Sequence, residues 1–231
     1  MNAAPPRVTS KLPDVGVTIF TVMTRLAAEH GAINLAQGFP DFDCDPALVD
    51  EVTAHMQQGN NQYAPMQGVL ALREALAAKI QDLYGARYDP STEITITSGA
   101  TEAVYCAITA FVHPGDEVLL FEPCYDSYVP AVRLSGGVPV FATLRYPDYR
   151  ADWDEVRRLL TPKTRLVILN SPHNPSGGVL AAGDLAALAS LLDGTDIVIV
   201  SDDLFAINPR NIRDVQVDTT IVGGRVVWSR E

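Results

Sequence analysis

The sequence predicts an α/β fold: a mostly parallel sheet with helices on both faces, ending in a β-hairpin. Three observations predict it. Short apolar runs recur at Glu93–Thr97, Glu117–Phe121, Val138–Ala142, Arg165–Leu169 and Ile197–Val200, which is the pattern of buried parallel strands. Segments with helical spacing separate these runs, as a right-handed crossover between parallel strands requires. Near the end, Gly223-Gly224 divides two β-branched runs, a strong signal for a two-residue hairpin loop.

The elements follow in order. Before the first apolar run, helical spacing covers Thr18–Glu29, Pro46–Gln57 and Val69–Leu83. Between and after the runs it covers Thr101–Val112, Ser127–Leu134, Asp152–Leu160 and Ala182–Leu192. Pro114-Gly115-Asp116 and Ser135-Gly136-Gly137 carry the residues that turn a chain back toward a sheet. The closing hairpin takes Val217–Val222 and Arg225–Trp228 as its arms. No internal repeat interrupts this alternation.

Composition narrows the function. At 231 residues and 47% hydrophobic, the chain can bury a sizeable core. Its formal charge of −11 repels nucleic acid and anionic lipid, so neither is expected as a partner. Cys44, Cys106 and Cys124 are odd in number and fit no metal-ligand spacing, which reads as reduced thiols in a cytoplasmic protein. Pro5, Pro6, Lys11 and Asp14 interrupt the place where a secretory signal would need an apolar core. No stretch approaches membrane-spanning length.

Four places carry candidate chemistry, and in an open sheet of this kind they fall at the carboxyl ends of strands, where ligands sit. Thr97-Ser98-Gly99-Ala100-Thr101 passes from an apolar run into a helix, so backbone N–H groups can approach a phosphate; an ordinary strand-to-helix turn is the alternative. Tyr125 follows the second run and can stack on a flat ring, or fill a half-buried core position. Asn174, between prolines in Pro172-His173-Asn174-Pro175, is an amide aimed by a stiff loop, or part of a plain turn. Asp202, after the apolar run from Asp196 to Val200, is a carboxylate that needs a cation, a helix to cap or a nearby arginine.

The order and spacing of these groups resemble the fold-type I pyridoxal phosphate aminotransferases, in the methionine and kynurenine/glutamine aminotransferase branch. The resemblance runs from Ser10-Lys11-Leu12-Pro13 through Ser201-Asp202 and includes Ala36-Gln37-Gly38-Phe39-Pro40-Asp41 and Asn61-Gln62-Tyr63-Ala64-Pro65. It implies pyridoxal 5'-phosphate as cofactor, an amino acid and a 2-oxo acid as substrates, and a homodimer. It implies that Gly99, Ala100 and Thr101 hold the phosphate, Tyr125 stacks on the ring and Asn174 bonds the ring's phenolic oxygen. Asp202 would face the ring nitrogen, Gly38 the substrate carboxylate, and Tyr63 the phosphate of the partner subunit. On this reading residues 1–45 are an amino-terminal arm, 46–202 a partial cofactor-binding domain and 203–231 an unmatched tail.

The chain departs from the family pattern after Asp202. Family members continue as Asp-Glu-Val-Tyr, and here the run is Asp202-Asp203-Leu204-Phe205, without the tyrosine hydroxyl. The only lysines are Lys11, Lys79 and Lys163, and none follows Asp202. No catalytic lysine is therefore assigned, the cofactor is expected to bind without covalent attachment, and activity is expected to be weak or absent. A non-catalytic partner of a full-length paralogue, or a fusion remnant, is the alternative. The tail from Asp203 with its Val222–Val227 run resembles the carboxy terminus of metal-dependent amidohydrolases, but no metal site comes with it. In the family sheet two further strands separate the run carrying Thr97 from the run carrying Val200. The tail hairpin is expected to fill those two places.

Overall fold

The computed structural model describes residues 9–38, 40, 42–202, 219–222 and 225–229. The elements are α1 (Ile19–His30), α2 (Pro46–Gln57), α3 (Leu70–Tyr84), α4 (Ala100–Phe111), β1 (Glu117–Glu122), α5 (Tyr128–Leu134), β2 (Val138–Thr143), α6 (Trp153–Leu159), β3 (Thr164–Asn170), α7 (Ala182–Leu192), β4 (Val198–Asp202), β5 (Thr219–Val222) and β6 (Arg225–Ser229).

Four strands form one parallel sheet in the order β2-β1-β3-β4. Alternation along each strand sends side chains to two cores. Val118 and Leu120 of β1 and Leu166 and Ile168 of β3 pack under α4 and α5. Leu119 and Phe121, with Val167 and Leu169, pack under α6 and α7 on the opposite face. The predicted parallel sheet with helices on both faces is therefore present, and both strands that lie inside it are buried on two sides.

Local chemistry explains where the helices begin and end. Thr18 Oγ1 accepts from the Thr21 N–H at the start of α1, and Gly31 closes that helix in the left-handed region. Asp45 caps α2, with Pro46 in the first turn. Asp152 Oδ1 accepts from the N–H groups of Asp154 (3.0 Å) and Glu155 (3.1 Å), which is what lets the seven-residue α6 form. Replacing Asp152 with alanine is expected to cost about 1 kcal/mol of stability in urea denaturation, since two first-turn donors lose their acceptor.

Two expectations are overturned. Glu93–Thr97 forms no strand; Glu93 ends a turn by donating its N–H to the Asp89 carbonyl at 2.9 Å, and Ile96 donates its N–H to the Gln67 carbonyl at 3.0 Å. A strand exists only through a partner, and among the described residues β4 is the last strand on that side of the sheet. The tail does form a hairpin, with Val222 opposite Arg225, but β5 and β6 make a separate two-stranded sheet and share no ladder with β4. They do not fill the two family strand places. A two-residue loop closes the hairpin locally, whereas pairing with β4 would require the longer 203–218 connection to close in register. The Gly223-Gly224 turn and the Asp203–Phe205 departure lie outside the described residues.

The amino-terminal helices pack differently from the rest. Among the described residues α1 and α2 bury no side chain, and α3 buries only Arg73. The Arg73 guanidinium, on a residue 6% exposed, donates through Nε to the Gly68 carbonyl (3.2 Å) and through Nη1 to the carbonyls of Pro90 and Ser91. Gly68 itself has φ +94°, and a Cβ there would collide with the Ile96 side chain. These contacts tie α3 to the segment that leads into α4.

Candidate functional site

The carboxyl ends of the strands gather most of the candidate residues. In the β3–β4 ladder Asn170 is the register partner of Asp202, so the last residues of the two strands stand side by side. Helix α4 returns through the short 112–116 turn to the amino end of β1. Its first turn therefore lies toward the same carboxyl edge. Tyr125 comes three residues after the end of β1, and Asn174 four residues after the end of β3.

The first turn of α4 presents a small cradle of backbone N–H groups. Gly99 has φ +85° and ψ 171°, a conformation that is essentially restricted to glycine. A Cβ at Gly99 would meet nothing within 4 Å, so the backbone conformation, not crowding, selects glycine here. The N–H groups of Ala100 and Thr101 have no partner within a helix by position, and none among the described residues. Glu102 reaches back and accepts from the Ser98 N–H, while the Thr97 hydroxyl donates to the Gly99 carbonyl at 3.0 Å. The cradle thus offers backbone N–H groups and the Thr101 hydroxyl, a donor set suited to phosphate oxygens.

The other candidates have distinct settings. Tyr125 is half-buried against the α4–α5 core and meets Tyr128 edge to face, with ring centroids 5.7 Å apart. Between it and β1, burial together with the Glu122 and Asp126 carboxylates pushes the Cys124 thiol up, so this sulfur stays protonated and is a poor nucleophile. Asn174 is exposed, and its backbone N–H donates to Asn170 Oδ1. Asp202 is placed here by strand register alone.

Two candidates are not brought to this edge by any contact. Tyr63 is 102% exposed. Gly38 lies in an exposed segment, with nothing within 4 Å of where a Cβ would stand. Lys11, Lys79 and Lys163 are all exposed. The Lys163 carbonyl accepts from the Glu117 N–H at 2.8 Å, which places it at the amino edge of the sheet, opposite the cradle.

Sequence reasoning missed the residues that brace the site. Asn170 and His173 are buried polar side chains beside the candidate edge. His173 also floors a cleft on the α6–α7 side, lined by Phe121, Leu144, Tyr149, Leu169 and Leu180. At the rim of this cleft burial pushes the Asp184 carboxyl up, but hydrogen bonds from Trp153 and the Ala181 N–H, together with Arg150, outweigh it and hold the group below its ordinary value. A lone histidine in a Pro-rich loop gives no sequence signal of burial. Among the described residues no helix is long and apolar enough to cross a membrane.

Comparisons with known proteins show the family and the fold. The family model for aminotransferase class I and II matches residues 30–211, nine residues beyond Asp202. The chain is 54% identical over 196 residues to methionine aminotransferase of Escherichia coli, covering 85% of this chain and 51% of that protein. It is 44% identical over 199 residues to a probable N-succinyldiaminopimelate aminotransferase of Mycobacterium tuberculosis, covering 85% and 50%. The crystal structure of YbdL from Escherichia coli, identified there as a methionine aminotransferase, superposes with a TM-score of 0.83 at 54% identity over 87% of this chain and 52% of that one. The chain spans about half the length of the curated relatives it matches.

Proposed function

The chain belongs to the class I and II aminotransferase family, and from that premise we propose that its carboxyl edge is a pyridoxal 5'-phosphate site, held without covalent attachment and supporting little or no turnover. The observation that carries this reading is the convergence of the Gly99–Thr101 cradle, Tyr125 and the Asn170–Asp202 strand ends at one edge of the sheet. When bound, the cofactor supplies an electron sink for amino transfer between an amino acid and a 2-oxo acid.

The chain's own residues have separable tasks. Ala100 and Thr101 N–H groups, oriented by Gly99, hold the phosphate with help from the helix dipole. Tyr125 covers a ring face, and Asn174 donates its amide to the phenolic oxygen. The Asp202 carboxylate holds a proton on the ring nitrogen. Gly38 would face the substrate carboxylate and Tyr63 a second subunit's phosphate, which assigns residues 1–45 to an arm, 46–202 to the cofactor domain and 203–231 to a separate tail. Low turnover is proposed because Lys163 stands at the opposite edge and residues 203–231 contain no lysine, so neither supplies an amine to carry a proton to or from the substrate carbon. Cytoplasmic residence fits the three free cysteines.

Titration with pyridoxal 5'-phosphate, followed by borohydride reduction and intact-mass measurement, tests this. A saturable change in the cofactor's visible absorbance is expected, with no mass added after reduction and gel filtration. An adduct on Lys11, Lys79 or Lys163 would overturn the non-covalent reading, and no saturation at millimolar cofactor would overturn the cofactor site itself.

A second reading rests on the full exposure of Tyr63 and Met66. On it the chain is a non-catalytic partner that offers this face to a complete aminotransferase subunit. Co-expression with a full-length family member, followed by isolation of a mixed dimer, would favour it over self-association.

A further inference from the structure

The loop after β3 carries a buried imidazole that the cofactor reading leaves without a task. Its course is closed by the His173 N–H donating to the Gly178 carbonyl (2.7 Å), the Gly177 N–H donating to the His173 carbonyl (2.6 Å) and the Leu180 N–H donating to Ser171 Oγ (3.1 Å). The His173 ring points inward, away from the exposed Asn174 side chain next to it. Nδ1 lies 2.7 Å from Ser176 Oγ, and Ser176 Oγ also accepts from the Gly178 N–H at 3.2 Å. The ring lines the same cleft as Phe121, the next-to-last residue of β1, whose backbone carbonyl is the acceptor that opposes the loss of basicity caused by burial. A carbonyl only accepts, so the nitrogen facing Phe121 carries the hydrogen, and the tautomer that serves both partners has Nδ1 accepting from the Ser176 hydroxyl.

We infer that His173 and Ser176 form a strut between the end of β1 and the Asn174 loop, and that this strut positions the Asn174 amide at the cofactor edge. This rests on the cofactor reading above. Asn174 is exposed, and its backbone is fixed on the β3 side by Asn170 Oδ1. Without the strut the loop would keep one anchor, on β3, and lose its link to β1. Asn174 would then share its time among several orientations, and a contact that depends on direction would weaken. Burial lowers the basicity of the imidazole, against the opposing pull of the Phe121 carbonyl, so the ring is neutral at pH 7 as the strut requires. The charged groups that line the cleft around it are Asp148, Arg150 and Asp184.

The geometry separates this role from general stability, because the phosphate cradle belongs to α4 and does not use the loop. The test compares wild type with His173→Leu, His173→Gln and Ser176→Ala, using pyridoxal 5'-phosphate and inorganic phosphate as probes. His173→Leu is expected to weaken pyridoxal phosphate binding about 10-fold, the size of one directional hydrogen bond, and to leave inorganic phosphate binding within about 2-fold of wild type. His173→Gln, which retains a donor and an acceptor, is expected to recover most of the loss. Equal losses for both probes, or no loss for either, would overturn the strut. If wild type binds no pyridoxal phosphate, the cofactor reading fails, and the strut is then decided without ligand by nitrogen NMR. The expected result is an unprotonated Nδ1 at His173 and a faster-exchanging Asn174 backbone amide in His173→Leu; a protonated Nδ1 or unchanged exchange would overturn it.

Discussion

Replacing Leu120 with alanine is expected to lower the stability of the sheet domain by about 4 kcal/mol, near the upper part of the range for buried leucine truncations. Leu120 is 0% exposed, lies in β1 between β2 and β3, and packs in the core beneath α4 and α5. Its neighbours there include Ile108 on α4 and Tyr128 and Val132 on α5, all buried themselves. A residual cavity is therefore the expected outcome, and the shortfall in van der Waals contact adds to the lost transfer energy. Urea denaturation followed by tryptophan fluorescence measures it. A loss under about 1 kcal/mol would show that this core relaxes like a loosely packed one.

Arg73→Met is expected to act locally instead. The guanidinium serves three backbone carbonyls at Gly68, Pro90 and Ser91, and it is the only buried side chain of α3 among the described residues. Removing it leaves those carbonyls without their charged donor and removes the only buried anchor of α3. The opening of α3 should become easier by about 3 kcal/mol, or roughly 100-fold in amide exchange protection. The denaturation midpoint reported by the β1–β3 core should move little, since that core contains none of these residues. Unchanged α3 protection would sink this account.

The helices were the most legible part of the fold. Pro46–Gln57 and Ala182–Leu192 are found with the boundaries that spacing and cap residues predict, and the other five helices shift by one residue at one or both ends. Spacing also identified four of the five apolar runs as strands. Glu93–Thr97 is rich in β-branched residues and still forms no ladder. A strand's hydrogen bonds lie between segments, so composition reports the tendency but cannot supply the partner.

The candidate site divided in the same way. Gly99 was legible because a glycine between an apolar run and a helix has a backbone reason to be there, and its φ of +85° is that reason. Asn170 and His173 were not legible. A polar residue at the end of an apolar run, or a histidine between Pro172 and Asn174, is ordinary in a solvated loop, and only packing shows that both are buried. Tyr63 and Gly38 were named from resemblance, and in the single chain both are exposed.

By itself the sequence determined the family, the alternation of strands and helices, and the absence of any lysine between Lys163 and Glu231. These rest on residue identity and on periodicities that are local in the chain. Only the tertiary structure decided that Asn170 stands beside Asp202, that Arg73 is buried, and that the tail hairpin shares no ladder with the four-stranded sheet. Each of these depends on which distant segments satisfy one another's backbone groups. That choice is made by loop closure and packing over the whole chain, which no local pattern encodes.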